Sequence, residues 1–176
     1  MNTLQIARAR FKAVRISPKT VWSFVELSDA EGHSGLGEAT LESRHEAVAA
    51  AFRALQPSLQ ATRFAETSNL LQWLRDPLSD TNDLARSAAL SAIEQALQDL
   101  LAQRAGLPLY AMLGQTRRSE IALYANINRG TTSRSAEQFA ERAADAASQG
   151  FAAVKIAPFD GVTPGGSGTR PAIDLG

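Results

Sequence analysis

Lys155 is the side chain best placed, by type and by neighbours, to do chemistry in this 176-residue sequence. It lies in the strand-like run Phe151-Ala152-Ala153-Val154-Lys155-Ile156-Ala157. Strand alternation puts Ala153, Lys155 and Ala157 on one face and Val154 and Ile156 on the other. An ammonium between two alanines has no packing rationale, because a cation removed from water needs a partner. It is a candidate for a role in a site; the alternatives are a structural ion pair or a strand-end lysine that reaches solvent. On an earlier run, Ile121 to Ile127, the side chains of Ala122, Tyr124, Asn126 and Asn128 share a face. Asn126 and Asn128 fall at its carboxyl end, where amides can donate to and accept from sugar hydroxyls, or can cap the loop and fix backbone turns. Arg129 is either an anion contact or a solvated loop residue. Asp160 is read as a turn former, with pairing to Lys155 as the alternative. Gly165, Gly166 and Gly168 do not open a helix after a strand, so they do not make a dinucleotide fingerprint.

The elements that must carry these residues are legible in the periodicity. Leu4 to Leu36 reads as a meander: a first run with Ile6, Phe11, Val14 and Ile16, a turn at Ser17-Pro18-Lys19, a second strand over Val21 to Leu27, and a hairpin at Ser28 to Gly32 into a third strand over Ser34 to Glu38. His33 belongs to that hairpin and is read as inert. Ser43 with Glu46 has the spacing of a capping box, and Val48, Ala51, Phe52 and Leu55 recur at helical spacing until Pro57. Phe64 to Leu74 is a shorter helical candidate. A long helix is predicted from Asp83 to Ala105, with Leu84, Ala88, Ala92, Ile93, Ala96, Leu97, Leu100 and Leu101 in its apolar stripe and Gly106 as a left-handed cap before Pro108. Further on, Ser135 with Gln138 caps a helix that runs to about Gln149, and Gly150 ends it. Strand, helix and strand in that order call for a parallel pair with a right-handed crossover. One helix cannot cover both faces of such a pair, so more chain is expected, and the glycine-rich stretch from Pro158 to Gly176 reads as a loop.

Composition narrows the function classes. Eighteen basic and eighteen acidic residues cancel, which leaves no global field to draw the protein onto nucleic acid or anionic lipid. No stretch reaches the roughly 20 apolar residues of a membrane span, so no membrane partner is expected. The absence of cysteine excludes disulfides and thiolate metal sites and fits a reducing compartment, with the cytoplasm as the default location.

Three segments in this order resemble the mandelate racemase and muconate lactonizing branch of the enolase superfamily. They are Gly35-Leu36-Gly37-Glu38 after the meander, Ala92-Ile93-Glu94-Gln95-Ala96-Leu97-Gln98-Asp99-Leu100 with Gly106-Leu107-Pro108-Leu109-Tyr110 and Leu113-Gly114, and Gly150-Phe151-Ala152-Ala153-Val154-Lys155. The resemblance implies an α+β capping domain over residues 1–118, a three-stranded antiparallel meander plus helices. Residues 119–176 would be the first two strands and first helix of an incomplete (β/α) TIM-type barrel. It also implies Mg²⁺ held by three carboxylates on later strands, so no metal ligand is assigned in this chain.

Family chemistry begins by removing a proton next to a carboxylate. Lys155 then faces the barrel interior at the rim where such sites lie, and matches the first lysine of the family's Lys-x-Lys motif. The second position of that motif is Ala157, and alanine transfers no proton, which disfavours two-base racemization and favours a one-base dehydration. The capping domain lends two loops to specificity. The first is short here, and the second, Ala39 to His45, is polar, with Thr40 as the expected contact and His45 read as a surface helix residue. The resulting expectation is the N-terminal part of a Mg²⁺-dependent sugar-acid dehydratase and a homo-oligomer, inactive as this chain alone. Lys155 is its catalytic group, and Asn126, Asn128 and Thr40 bind a small carboxylate substrate. A racemase or cycloisomerase, or a non-catalytic fragment used in assembly or binding, are the alternatives.

Overall fold

The computed structural model describes residues 3–18, 20–64, 73, 83–114 and 118–158, with Arg129 described for its backbone alone. The chain divides into two compact units, residues 1–117 and 118–176.

The first unit is built on an antiparallel sheet of β2 (Arg8–Ser17), β3 (Thr20–Ser28) and β4 (Ser34–Glu38) in that order. The register pairs Ala9 with Leu27 and Leu27 with Gly35, and Phe11 with Val25 and Val25 with Gly37. These residues form the inner face, where Ala9, Val25 and Leu27 are buried. The outer face carries Arg10, Lys12 and Glu26, with Lys12 Nζ 3.0 Å from Glu26 Oε2. Two helices supply the rest of the core. From α1 (His45–Ala61) come Val48, Phe52, Leu55 and Leu59, one helical face, with the Phe52 ring 5.9 Å from that of Phe11. From α2 (Leu84–Arg104) comes an alanine-rich face that includes Ala89, Ala92, Ile93, Ala96, Leu97 and Leu100. Asp83 caps α2 by accepting the N–H groups of Ala85 and Arg86, and Gly106 follows its end at φ +65°. A short helix, α3 (Leu109–Leu113), comes next.

The glycine pair of β4 has a steric cause. A Cβ on Gly37 would lie 2.0 Å from the Ala92 carbonyl oxygen, and one on Gly35 would lie 2.0 Å from that of Ala96. The edge strand therefore lies against the α2 backbone itself. Its outward N–H groups are satisfied from the same helix: Leu36 N donates to Asp99 Oδ2 at 3.0 Å and Glu38 N to Gln95 Oε1 at 3.1 Å. Gln95 and Asp99 stand one turn apart, and β4 residues alternate, so each side chain meets every second N–H group.

Several local expectations change. Ser43 does not form a capping box: it adopts φ +58°, Arg44 takes the cap position without a side-chain bond, and the Ser43 hydroxyl sits one residue too early. The helix α1 also continues past Pro57 to Ala61. The ring removes one backbone bond, but Leu59 beyond it is fully buried and Gln56 Nε2 donates to the Ala9 carbonyl at 3.2 Å, which holds the last turn in place. Phe64 does not begin a helix. It lies in β5 (Arg63–Phe64), whose Phe64 pairs with Leu4 of β1 (Leu4–Gln5), a ladder too short to leave a period in sequence. The rest of that helical candidate, apart from Trp73, lies outside the described residues, as do Asp160 and the glycines from 161 onward.

In the second unit β6 (Ala125–Asn126), α4 (Ala136–Ser148) and β7 (Val154–Lys155) form a strand–helix–strand unit with parallel strands. Ser135 caps α4 through Gln138 N, and Gly150 ends it at φ +89°. The strands are shorter than the predicted runs. Ile121 and Leu123 are 78% and 70% exposed, and the ladder is confined to the segment where Ala125 N reaches the Ala153 carbonyl and Ile127 N that of Lys155.

Candidate active site at the strand ends

Which way Lys155 points follows from its register partner. Asn126 pairs with Lys155, and Ala125 with Val154. Ile127, of the same parity as Ala125, is buried, as is Ala146 of α4, and the three line one depression. Ala125 and Val154 thus share one face of the strand pair, and Asn126 and Lys155 the other. Both are exposed, and the Lys155 ammonium has no hydrogen bond or ion pair among the described residues.

The two asparagines divide their work. Asn126 Oδ1 accepts from Asn128 N at 3.3 Å and Asn128 Nδ2 at 2.9 Å. Asn128 Nδ2 also donates to the Lys155 carbonyl at 3.4 Å, and its Oδ1 accepts from Ala157 N. Asn128 is thus committed to backbone, in a 3₁₀ turn over Asn128–Gly130 rather than on the strand. The Asn126 amide N–H groups make no hydrogen bond among the described residues, and Asn126 lies on the same face as Lys155. Arg134, which nothing in the sequence pattern singles out, completes the clasp. At φ +56° it aims Nη1 at the Asn128 carbonyl at 3.0 Å and Nη2 at that of Ala157, with its guanidinium 5.0 Å from the Phe139 ring centre. The clasp holds both strand ends at fixed spacing, and position 157 takes part through its backbone.

Thr40 belongs to the first unit. Its Oγ1 accepts from Ser23 N at 3.1 Å while Ala39 N donates to the Ser23 carbonyl, so Thr40 extends the β3–β4 ladder past Glu38 and keeps its own O–H to donate. His45 is the first residue of α1 and half-buried.

His33 has a structural task that the sequence did not disclose. Its Nδ1 lies 2.8 Å from Asp29 Oδ2, its backbone N donates to Asp29 Oδ1 at 2.8 Å, and Arg104 Nη1 at the end of α2 reaches the same Oδ2 at 2.8 Å and Glu31 at 3.2 Å. Burial alone would raise the Asp29 carboxyl. The His33 ring and backbone, with Arg104, outweigh it and hold the group at about 2, below its ordinary 3.8. A folded-state value below the unfolded one stabilises the fold above pH 3.8, and that stabilisation is lost as pH falls through about 2. Asp29→Asn is expected to cost roughly 1–3 kcal/mol at pH 7. It should also flatten the urea-denaturation midpoint against pH between 4 and 2; a variant that kept the wild-type slope there would assign the acid sensitivity to other carboxylates.

Residues 4–114 match the family described as mandelate racemase / muconate lactonizing enzyme, N-terminal domain. The chain belongs to that family. Among curated relatives, it is 32% identical over 136 residues to a D-gluconate dehydratase of Thermoproteus tenax, covering 77% of this chain and 27% of that protein. It is 30% identical over 153 residues to a D-mannonate dehydratase of Sphingomonas sp. (strain SKA58), covering 82% and 35%. The fold resembles that of a mandelate racemase/muconate lactonizing enzyme-like protein from Roseovarius sp. TM1035, with TM-score 0.73 at 24% identity over 88% of this chain and 42% of that one. The chain thus spans about a third of the length of the curated relatives it matches. The family sits in the Mg²⁺-dependent enolase superfamily. Among the described residues, however, no group of three or more His, Cys, Asp or Glu side chains could hold a metal ion, so the residues here do not fit a Mg²⁺ site. No helix among them is long and apolar enough to cross a membrane.

Proposed function

We propose that this chain is the N-terminal part of a sugar-acid dehydratase, and that the strand–helix–strand unit of residues 118–158 opens its catalytic barrel. The observation that carries the reading is Lys155, a cation with no hydrogen bond or ion pair among the described residues, on the same face as the unbonded amide N–H groups of Asn126 at the carboxyl ends of parallel strands. That rim is where barrel enzymes of this architecture do their chemistry. The names of the curated relatives, dehydratases of gluconate and mannonate, point to a small polyhydroxy carboxylate as substrate.

In this reading Lys155 holds the substrate carboxylate and offsets the negative charge that grows as the neighbouring C–H proton leaves. The Asn126 amide donates to a substrate hydroxyl, and Asn128 fixes the strand end that carries it. Loss of that proton and of the β-hydroxyl as water leaves an enol, which becomes a 2-keto acid. Alanine at 157 removes one possible base from this face, which favours dehydration over two-base racemization. The enzyme would work in the cytoplasm as a homo-oligomer, with Mg²⁺ ligands supplied by residues other than those described.

The test is a panel of sugar acids, gluconate, galactonate and mannonate among them, incubated with Mg²⁺ and the protein from the full reading frame and scored for 2-keto acid. Dehydration of at least one is expected, and none by the 176-residue chain alone. Racemization or ring closure of a carboxylate with no keto acid formed would overturn the dehydratase reading.

A further inference from the structure

The solvent face of the three-stranded sheet holds a site that the proposed reaction does not use. Even-numbered residues share this face, and the register sets them in rows: Arg8, Ser28 and Ser34 in one, Arg10, Glu26 and Leu36 in the next. A depression of about 450 Å³ lies over them, lined also by the hairpin at Ala30 and Gly32.

The charges in it do not cancel. Glu26 is engaged by Lys12 at 3.0 Å, and Arg10 stands 3.9 Å from the same oxygen, beyond hydrogen-bond range. Asp29 contributes to the wall, but both of its oxygens are occupied by His33 and Arg104. Arg8 has no ion pair, and the Ser28 and Ser34 hydroxyls no hydrogen bond, among the described residues. Arg8 is left without an ion pair and Arg10 holds only the 3.9 Å contact to Glu26; the two are alternate residues on one strand, their Cα atoms about 7 Å apart, and Ser28 and Ser34 are directly paired across the next two strands. Paired guanidinium forks and hydroxyl donors suit a doubly charged tetrahedral oxyanion, which can accept from both forks at once.

The geometry points to a binding site for a small phosphate-class dianion between Arg8 and Arg10, with Ser28 and Ser34 as hydroxyl donors. Free phosphate and the phosphoryl group of a small metabolite share this chemistry.

The experiment is an amide-resolved NMR titration of the chain with inorganic phosphate and, separately, with glycerol phosphate, at ionic strength held constant with chloride. Saturable shifts centred on Ser28, Gly32 and Ser34 are expected, with a Kd on the order of 1 mM. Saturation by both probes identifies phosphorylated small molecules as ligands, and saturation by phosphate alone identifies the free ion. The double variant Arg8→Gln/Arg10→Gln should weaken binding about tenfold or more, and Arg53→Gln on α1 should leave it unchanged. Glu26→Gln should tighten it about threefold by removing the opposing charge. All four positions are solvent-accessible, so the variants should fold, and the spectra report this directly. Non-saturable shifts that chloride reproduces, or a double variant that binds as tightly as wild type, would overturn the site.

Discussion

Gly37→Ala is expected to destabilise the first unit by about 3 kcal/mol or more. The added methyl would stand 2.0 Å from the Ala92 carbonyl oxygen, and neither atom belongs to a side chain that can rotate away. Relief requires β4 to lift off α2. That movement would break the bonds from Leu36 N to Asp99 and from Glu38 N to Gln95, and would open the packing over Ala92 and Ala96. A urea melt followed by circular dichroism should show a lower midpoint, and a thermal melt a fall of more than 10 °C, in line with about 4–8 °C per kcal/mol for a unit of this size. Gly32→Ala makes a useful contrast, because space around that position is open and only its positive φ resists the change, at about 1 kcal/mol. A Gly37→Ala protein as stable as the Gly32→Ala one would mean that β4 does not lie against the helix backbone.

The second large effect concerns chemistry. Lys155→Met, in the protein from the full reading frame, is expected to lower kcat/KM for the proposed sugar-acid substrate by about 10²- to 10³-fold, the range seen when a group that stabilises developing charge is removed. The division between the constants says what the lysine does. A raised KM with kcat unchanged means that it only anchors the ground-state carboxylate; a fall in kcat means that its charge matters most as the proton leaves. Because Lys155 is exposed and unpaired among the described residues, the substitution should change stability by no more than about 0.5 kcal/mol, which separates a catalytic loss from a folding defect. Wild-type turnover by Lys155→Met would remove this residue from the mechanism.

The elements were legible wherever the hydrophobic period is long. The meander, the helix from Asp83 and the helix capped by Ser135 are all found close to where periodicity and capping residues put them. Legibility failed at short range and at long range. The two-residue pair of Leu4 with Phe64 has no period to read, and Ser43 carries a cap signature that the local turn overrides through one positive φ. The residues of the proposed site were legible in part. Lys155 stood out because a cation among alanines is costly to explain as packing. Asn126 and Asn128 looked equivalent, and only the bonds each makes show that Asn126 engages its oxygen alone, while Asn128 is committed to the Lys155 carbonyl and the Ala157 N–H group.

Alternation and helical spacing, both local properties of the chain, determine by themselves which residues share a face, so the family likeness, the sheet face behind Arg8 and Arg10 and the side of the strand that carries Lys155 are already written in the residue order. Distance between segments far apart in sequence is not. That Gly35 and Gly37 serve as clearance for α2, that Gln95 and Asp99 close the edge of β4, that Arg104 and His33 meet on a buried Asp29, and that Arg134 clasps the strand ends were decided by tertiary packing. Each depends on where two backbones come to rest against one another, and short-range periodicity carries no record of that separation.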